Sequence, residues 1–497
     1  MTAQDTSGTR ANGVAAGTAG APTAERLAAR RVTVVILVLA VSAFLMILNE
    51  TVLSVALPAL MAEFDMPAQT AQWLTTGFLL TMAIIIPTTG FLIRRFTTRA
   101  LFATALSLFL LGTTVAALAP SFEMMLLARV LQAGGTAIIM PLLTTTTLTS
   151  VAPDRRGMFM GLNSVVISVA PAIGPTLSGI VIDAFGWRWI FALAVPLVAA
   201  ALIVGCLAIG PGGQTAHPAF DALSVVLAAL GFGGLVYALS SLEQILDAAA
   251  WPPLAAAVVG LAALTMFALR QARLRLRREG ALLDLRPFRS REFRLGVPLA
   301  MIAMGTMLGT VTVLPLYLQD GRGVSALATG LLVLPGGLVQ GVLSPFVGRL
   351  YDRFGPRPLV IPGTLLIAGA QWMLTSVGTT TPLWAVCAMF VAFSAGLGLV
   401  MTPLLTHTLS SLEPGLYPHG TAILSTLQQL AGAAGTAALV AALTIGAAAT
   451  ASEGAAADIA EIAGTRGAFV VGGVLSLLAV AGALFIRRIR REQPPRV

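Results

Sequence analysis

The sequence predicts an all-helical integral membrane protein with fourteen spans. These form two six-helix halves with a two-helix insert between them, and both termini face the cytoplasm. Three observations predict this. Of the 497 residues, 57% are hydrophobic and only 10% charged, against about 25% charged in soluble domains, and the mean hydropathy is +0.89. No water-soluble fold hides that much apolar surface, whereas a bilayer is itself an apolar solvent. Apolar runs of the ~20 residues a spanning helix needs recur along the whole chain. All 30 basic residues are arginine, and they cluster in alternate connecting segments.

The spans fall near 33–58, 71–92, 100–119, 124–150, 158–182 and 188–209, then 221–242 and 252–270, then 294–318, 326–348, 358–377, 383–409, 420–446 and 468–486. With the N-terminus inside, 26 arginines lie in cytoplasmic segments and only Arg188, Arg322 and Arg466 lie outside; Arg129 falls within a span. Positive charge is retained on the cytoplasmic side during insertion, so this bias supports both the even count and the orientation. The organisation is then a disordered cytoplasmic tail (1–32), a six-helix half (33–209), an insert with an arginine-rich connector (210–293), a second six-helix half (294–486) and a cytoplasmic tail (487–497). The tail at 1–32 is rich in Ala, Gly, Thr and Ser and carries no cleavable signal.

The nine arginines between 270 and 294 read as an orienting connector that touches anionic lipid. No binding module surrounds them, so no nucleic-acid partner is expected. Cys206 and Cys387 lie in apolar runs and read as small core residues. His217, His407 and His419 lack metal-ligand spacing, so neither metal nor cofactor is expected. No nucleophile–base set and no phosphate-cradling glycine loop occurs in the sequence, which argues against an enzyme and against direct use of ATP.

Two loops repeat at an offset of 258 residues: Pro87-Thr88-Thr89-Gly90-Phe91-Leu92-Ile93-Arg94-Arg95-Phe96-Thr97-Thr98-Arg99, and Pro345-Phe346-Val347-Gly348-Arg349-Leu350-Tyr351-Asp352-Arg353-Phe354-Gly355-Pro356-Arg357. Each follows the second span of its group. Such a repeat points to a transporter with its site between the halves, and it disfavours a channel. A loop Asp beside a helix N-terminus accepts backbone N–H groups, so Asp352 is expected to latch two helices; the alternative for these arginines is simple topogenic charge.

Three spans carry further chemistry. In Ala170-Pro171-Ala172-Ile173-Gly174-Pro175-Thr176-Leu177-Ser178-Gly179, Pro175 removes a helix hydrogen bond and bends the helix. Ala170, Gly174 and Ser178 leave one face nearly bare for a neighbour. The alternative is an ordinary kinked, tightly packed helix. In Leu48-Asn49-Glu50-Thr51-Val52-Leu53-Ser54-Val55-Ala56-Leu57-Pro58, Glu50 lies about 12 Å deep in the first span. A charge there costs about 2.5–3.5 kcal/mol, so such residues normally face the bundle interior and work; the alternative is a structural Glu near the interface. In Leu127-Ala128-Arg129-Val130-Leu131-Gln132-Ala133-Gly134-Gly135, Arg129 and Gln132 share a helix face, and Arg129 lies about 9 Å deep, within reach of Glu50 if the two helices are neighbours.

These segments, together with Trp187-Arg188-Trp189-Ile190-Phe191, resemble the Major Facilitator Superfamily over nearly all of 33–486, and more narrowly its fourteen-helix drug:proton antiporters, the multidrug- and lincomycin-resistance type of exporter. The resemblance implies roles for named residues. Glu50, Arg129 and, at the outer end of its span, Asp183 would couple protons. Pro171, Gly174, Pro175 and Gly179 would form the antiporter-motif kink. Gly90, Arg94, Arg95, Arg99, Gly348, Asp352, Arg353, Gly355 and Arg357 would form the gating loops. Asn49, Gln132, Gln428 and Gln429 are the cavity candidates; for the last two the alternative is interhelical hydrogen bonding. The first loop departs from the family pattern, with Arg94 where the Asp is expected and Thr97 where the Gly is. Any latch there needs another partner, for which Asp154 is a candidate.

The expected function is proton-coupled export of lipophilic drug-like or antibiotic molecules by alternating access. The alternative is transport of one defined metabolite, such as a self-made antibiotic, an amino acid or a lipid precursor. The expected partners are a small-molecule substrate, protons and the lipid bilayer, with the chain acting as a monomer. The lysine-free, Ala- and Gly-rich composition points to a bacterial plasma membrane.

Overall fold

In lipid every backbone N–H and C=O must find its partner within the protein, and an apolar run meets that demand by coiling. The computed structural model describes residues 21–71, 73–210, 221–241, 251–276 and 282–486, and every regular element among them is helical. The long helices are α1 (Ala21–Glu63), α2 (Trp73–Arg95, with a 3-10 turn at Ile86–Thr88), α3 (Thr98–Leu118), α4 (Phe122–Ser150), α5 (Arg156–Phe185), α6 (Arg188–Ala208), α7 (Ala222–Ser240), α8 (Trp251–Leu276), α9 (Arg291–Leu316), α10 (Ala326–Phe354), α11 (Arg357–Leu374), α12 (Leu383–Ser410), α13 (Tyr417–Ser452) and α14 (Ala457–Ala483).

Thirteen of these are long and apolar enough to cross a membrane. The place of the remaining expected span, 358–377, is taken by α11, which has 18 residues and is diluted by Arg357, Pro358, Pro362 and Gln371. The chain is a multi-pass membrane protein.

Side-chain caps set several starts. Thr97 accepts from Ala100 N–H at 3.2 Å and Ser325 from Ala328 N–H at 3.3 Å, each satisfying one of the four orphan donors at a helix start. Gly355, at φ +84°, ends α10 in a conformation that favours glycine. One boundary differs from expectation: α1 begins at Ala21, so residues 21–32 are helical rather than part of a disordered tail. Ala, Leu, Glu and Arg dominate there and are good helix formers that extend the span outward. Residues 1–20 and 487–497, where the two tails were expected, lie outside the described residues.

α1–α6 pack among themselves, as do α9–α14. The halves meet chiefly at two seams, α5 against α10 and α2 against α13, with α5 against α12 and α4 against α13 beside them. The insert is a hairpin, α7 on α8, and α7 lies along the α2/α13 seam. Asp221 and Arg270 clip the hairpin's arginine-rich end with a 2.9 Å ion pair. The outward faces of α6 and α8 expose Leu, Ile and Val, as lipid contact requires.

Candidate functional site

The α5 face of Ala170, Gly174 and Ser178 is covered by α1. A Cβ on Gly174 would stand 2.3 Å from Thr51 Oγ1, and Ser178 Oγ donates to the Val52 carbonyl at 3.0 Å. The neighbour of this bare face is therefore the stretch that follows Glu50. Among the described residues nothing lies within 4 Å of a would-be Cβ on Gly179. Pro171 borders a small cavity of about 40 Å3 at the α5/α10 seam. α5 runs helical through this segment; the side chain of Pro175 lies outside the described residues.

Glu50 is half-buried, and α1 packs on α4. Arg129 acts on Glu50 through its charge, but the two form no ion pair within 4.0 Å among the described residues. Arg129 is only 1% exposed. It donates from Nη1 to Gln132 Oε1 at 2.9 Å and from Nε to the Leu74 carbonyl at 3.3 Å, and it lies 4.2 Å from the Phe78 ring centre. Gln132 Nε2 in turn donates to Thr113 Oγ1 at 3.1 Å. The i,i+3 spacing already placed Gln132 beside Arg129. The contacts from α2 and α3 had no signal in sequence. Asn49 is 4% exposed, and neither of its amide atoms has a partner among the described residues, an arrangement buried amides rarely keep. Asp183 is exposed near the end of α5.

Across the α5/α10 seam Asp352 reaches from the end of α10 to the start of α5, where its Oδ1 accepts from Gly157 N–H at 2.8 Å and its Oδ2 from Met158 N–H at 3.0 Å. The carboxylate thus satisfies two donors at the positive end of α5. Gly348 makes the approach possible: a Cβ there would stand 2.0 Å from the Gly157 carbonyl. Arg353 lies 5.2 Å from the Phe354 ring, and Arg357 opens α11.

At the α2/α13 seam the departing loop has its own solution. Arg94 Nη1 donates to His419 Nε2 at 3.0 Å, while Gly90 lies against His419 and the Pro418 carbonyl. Asp154 is exposed and does not supply this contact. The backbone N–H of Asp284, in the arginine-rich connector, faces His419 Nδ1 at 3.3 Å. A neutral imidazole offers one acceptor nitrogen, so it serves only one of these donors at a time. Arg95 is exposed and Arg99 half-buried.

Two further bonds cross between the halves, Arg156 Nη1 to Tyr417 Oη at 3.0 Å and Thr402 Oγ1 to Ser164 Oγ at 2.8 Å. All such bonds among the described residues lie toward the arginine-rich end. The halves are closed there. His419 carries no signal of this contact in sequence, because its role comes from an end-to-end meeting of α2 and α13.

Toward the opposite end α2, α7, α9 and α13 enclose a cavity of about 400 Å3. Gln429 lines it; Gln428 does not, although it is half-buried on the same helix. At this end Glu63 accepts from the Trp187 indole N–H and from Arg188. The indole bond first, and Arg188 with it, hold the Glu63 carboxyl below the usual carboxylate range. A lowered carboxylate contributes stability above its unfolded pKa and loses it as pH falls through the folded value. Thermal unfolding in detergent is therefore expected to show a small loss of stability as pH falls below the ordinary glutamate range, which Glu63→Gln removes.

The sequence model of the Major Facilitator Superfamily matches residues 39–436. The lincomycin resistance protein LmrB of Listeria monocytogenes is 39% identical over 455 residues, covering 90% of this chain and 95% of the relative. LmrB of Bacillus subtilis is 37% identical, covering 93% and 97%. Among solved structures, the human organic anion transporter MFSD10 superposes with a TM-score of 0.64 at 16% identity, covering 91% of this chain and 99% of that one. That likeness speaks for the fold.

Proposed function

Because the chain belongs to the Major Facilitator Superfamily, and so to a family of transporters rather than enzymes, we propose that it is a proton-coupled exporter of lincomycin-like and other lipophilic drug-like molecules. The observation that carries the reading is Glu50. It is an acid well inside the first span, one residue before the Thr51–Val52 stretch that packs on the small face of α5. An intramembrane carboxylate is costly enough to be retained for work.

Arg129 lies in its electrostatic range yet is held by Gln132 and Leu74. Glu50 is thus free to gain and lose a proton without unseating a buried guanidinium. With the arginine-rich end assigned to the cytoplasm by the charge bias, the halves are closed inside and the large cavity lies toward the outside. Glu50 takes a proton from the outside. The latches at Asp352 and His419 then part, the halves rock, and the proton leaves inside as drug enters the cavity.

The test is transport by inside-out proteoliposomes with an acid lumen. They are expected to accumulate lincomycin, and collapse of the pH gradient by a proton ionophore should release it. Accumulation indifferent to the ionophore would overturn the coupling, and no movement of lincomycin or of a panel of lipophilic dyes would overturn the exporter reading.

A further inference from the structure

The inserted helix α7 lies where it can act on substrate. Trp73 of α2 stacks on Tyr237 with ring centres 5.8 Å apart. A Cβ on Gly233 would stand 2.9 Å from Leu80 of the same helix. At the other end Gln271 donates to Ser224 at 2.6 Å. So fixed, α7 contributes Val236 and Leu239, and its C-cap Ser241, to the wall of the 400 Å3 cavity. Without this helix the cavity would open sideways at the α2/α13 seam.

Its volume falls within the roughly 300–1,000 Å3 of small-molecule sites. Among the described residues that line it, none is charged. The polar groups are Thr75, Thr76, Ser241, Thr312, Gln429 and Thr436, set among leucines and valines. Thr312 donates to the Leu308 carbonyl at 2.9 Å, which leaves its oxygen free to accept. An ion entering this space would give up hydration without meeting a counter-charge. A neutral molecule with an apolar body and several hydroxyl or amide groups would exchange water for these side chains at little cost.

We propose that α7 is a wall of the substrate site and that the insert selects uncharged, hydroxyl-bearing amphiphiles. This rests on the exporter reading for its transport consequence, but the binding itself can be read separately.

In a background of Cys206→Ala and Cys387→Ala, which replaces the half-buried free cysteines, Ser241→Cys gives a single thiol on the wall. Its labelling by a water-soluble maleimide in proteoliposomes is expected to slow at least fivefold with hexyl glucoside, which is neutral and hydroxyl-bearing, and not with tetraphenylphosphonium. Leu239→Trp, which fills the cavity from α7, is expected to raise the KM for lincomycin at least tenfold while turnover stays within twofold. If wild type transports lincomycin but neither variant responds, the inference fails and the exporter stands. If wild type does not transport it yet hexyl glucoside protects Ser241→Cys, the exporter reading fails and the site stands. Equal protection by the cation overturns the selectivity, and absence of protection by any probe overturns the site.

Discussion

Glu50→Gln is expected to abolish gradient-driven accumulation of substrate while leaving substrate exchange at equal pH in place. Gln keeps the volume and hydrogen-bonding reach of Glu but cannot carry a proton between the two sides. A proton crossing one pH unit releases about 1.4 kcal/mol, which sustains roughly tenfold accumulation for each proton exchanged per substrate. Two pH units would thus hold about a hundredfold accumulation in wild type, and Glu50→Gln should fall to about one. The packing of Thr51 and Val52 on α5 does not use the carboxylate, so counterflow of labelled against unlabelled lincomycin should persist within a few-fold. Glu50→Asp, which keeps an acid, should recover part of the accumulation. Wild-type accumulation by Glu50→Gln would move the proton site elsewhere.

Much of this architecture was legible because membrane helices write their length and period into the sequence. Both insert helices formed where small-residue runs at 221–242 and 252–270 marked them. The 258-residue repeat put Gly90 and Gly348 in corresponding segments, which are not loops but the last turns of α2 and α10, and each stands against a backbone from the other half. What stayed hidden was lateral. Arg129 and Glu50 lie at similar depth, and depth alone suggested that they meet. The carbonyl of Leu74 and the ring of Phe78, both from α2, hold the guanidinium instead. Likewise Asp154 was near Arg94 in the order of loops, but α13 delivers His419 to it from the other half. Helix neighbours across a seam are set by packing, which a single chain's periodicity does not encode.

The α5/α10 seam supports the second large effect, that of Gly348→Ala. In a helix interior Ala is favoured over Gly by about 0.8–1.0 kcal/mol, so local propensity predicts a gain. The seam predicts the reverse. The new methyl would stand 2.0 Å from the Gly157 carbonyl oxygen and 3.0 Å from the Met158 Cα. These are backbone atoms at the start of α5 and cannot swing aside as a side chain does. The two helices must separate by more than 1 Å to restore ordinary contact. That motion pulls Asp352 from the N–H groups of Gly157 and Met158, bonds to a charged acceptor of about 1.5–3 kcal/mol each.

The closed arrangement at the arginine-rich end should lose at least tenfold in population. With Met160→Cys, a position 3% exposed beside this seam, in the background lacking Cys206 and Cys387, maleimide labelling from that end is expected to quicken at least tenfold on adding Gly348→Ala. Asp352→Ala should produce a smaller shift in the same direction. Gly179→Ala adds the same methyl to a site with nothing within 4 Å among the described residues and should leave labelling unchanged. Equal rates for Gly348→Ala and Gly179→Ala would mean that backbone contact at this seam does not hold the halves closed.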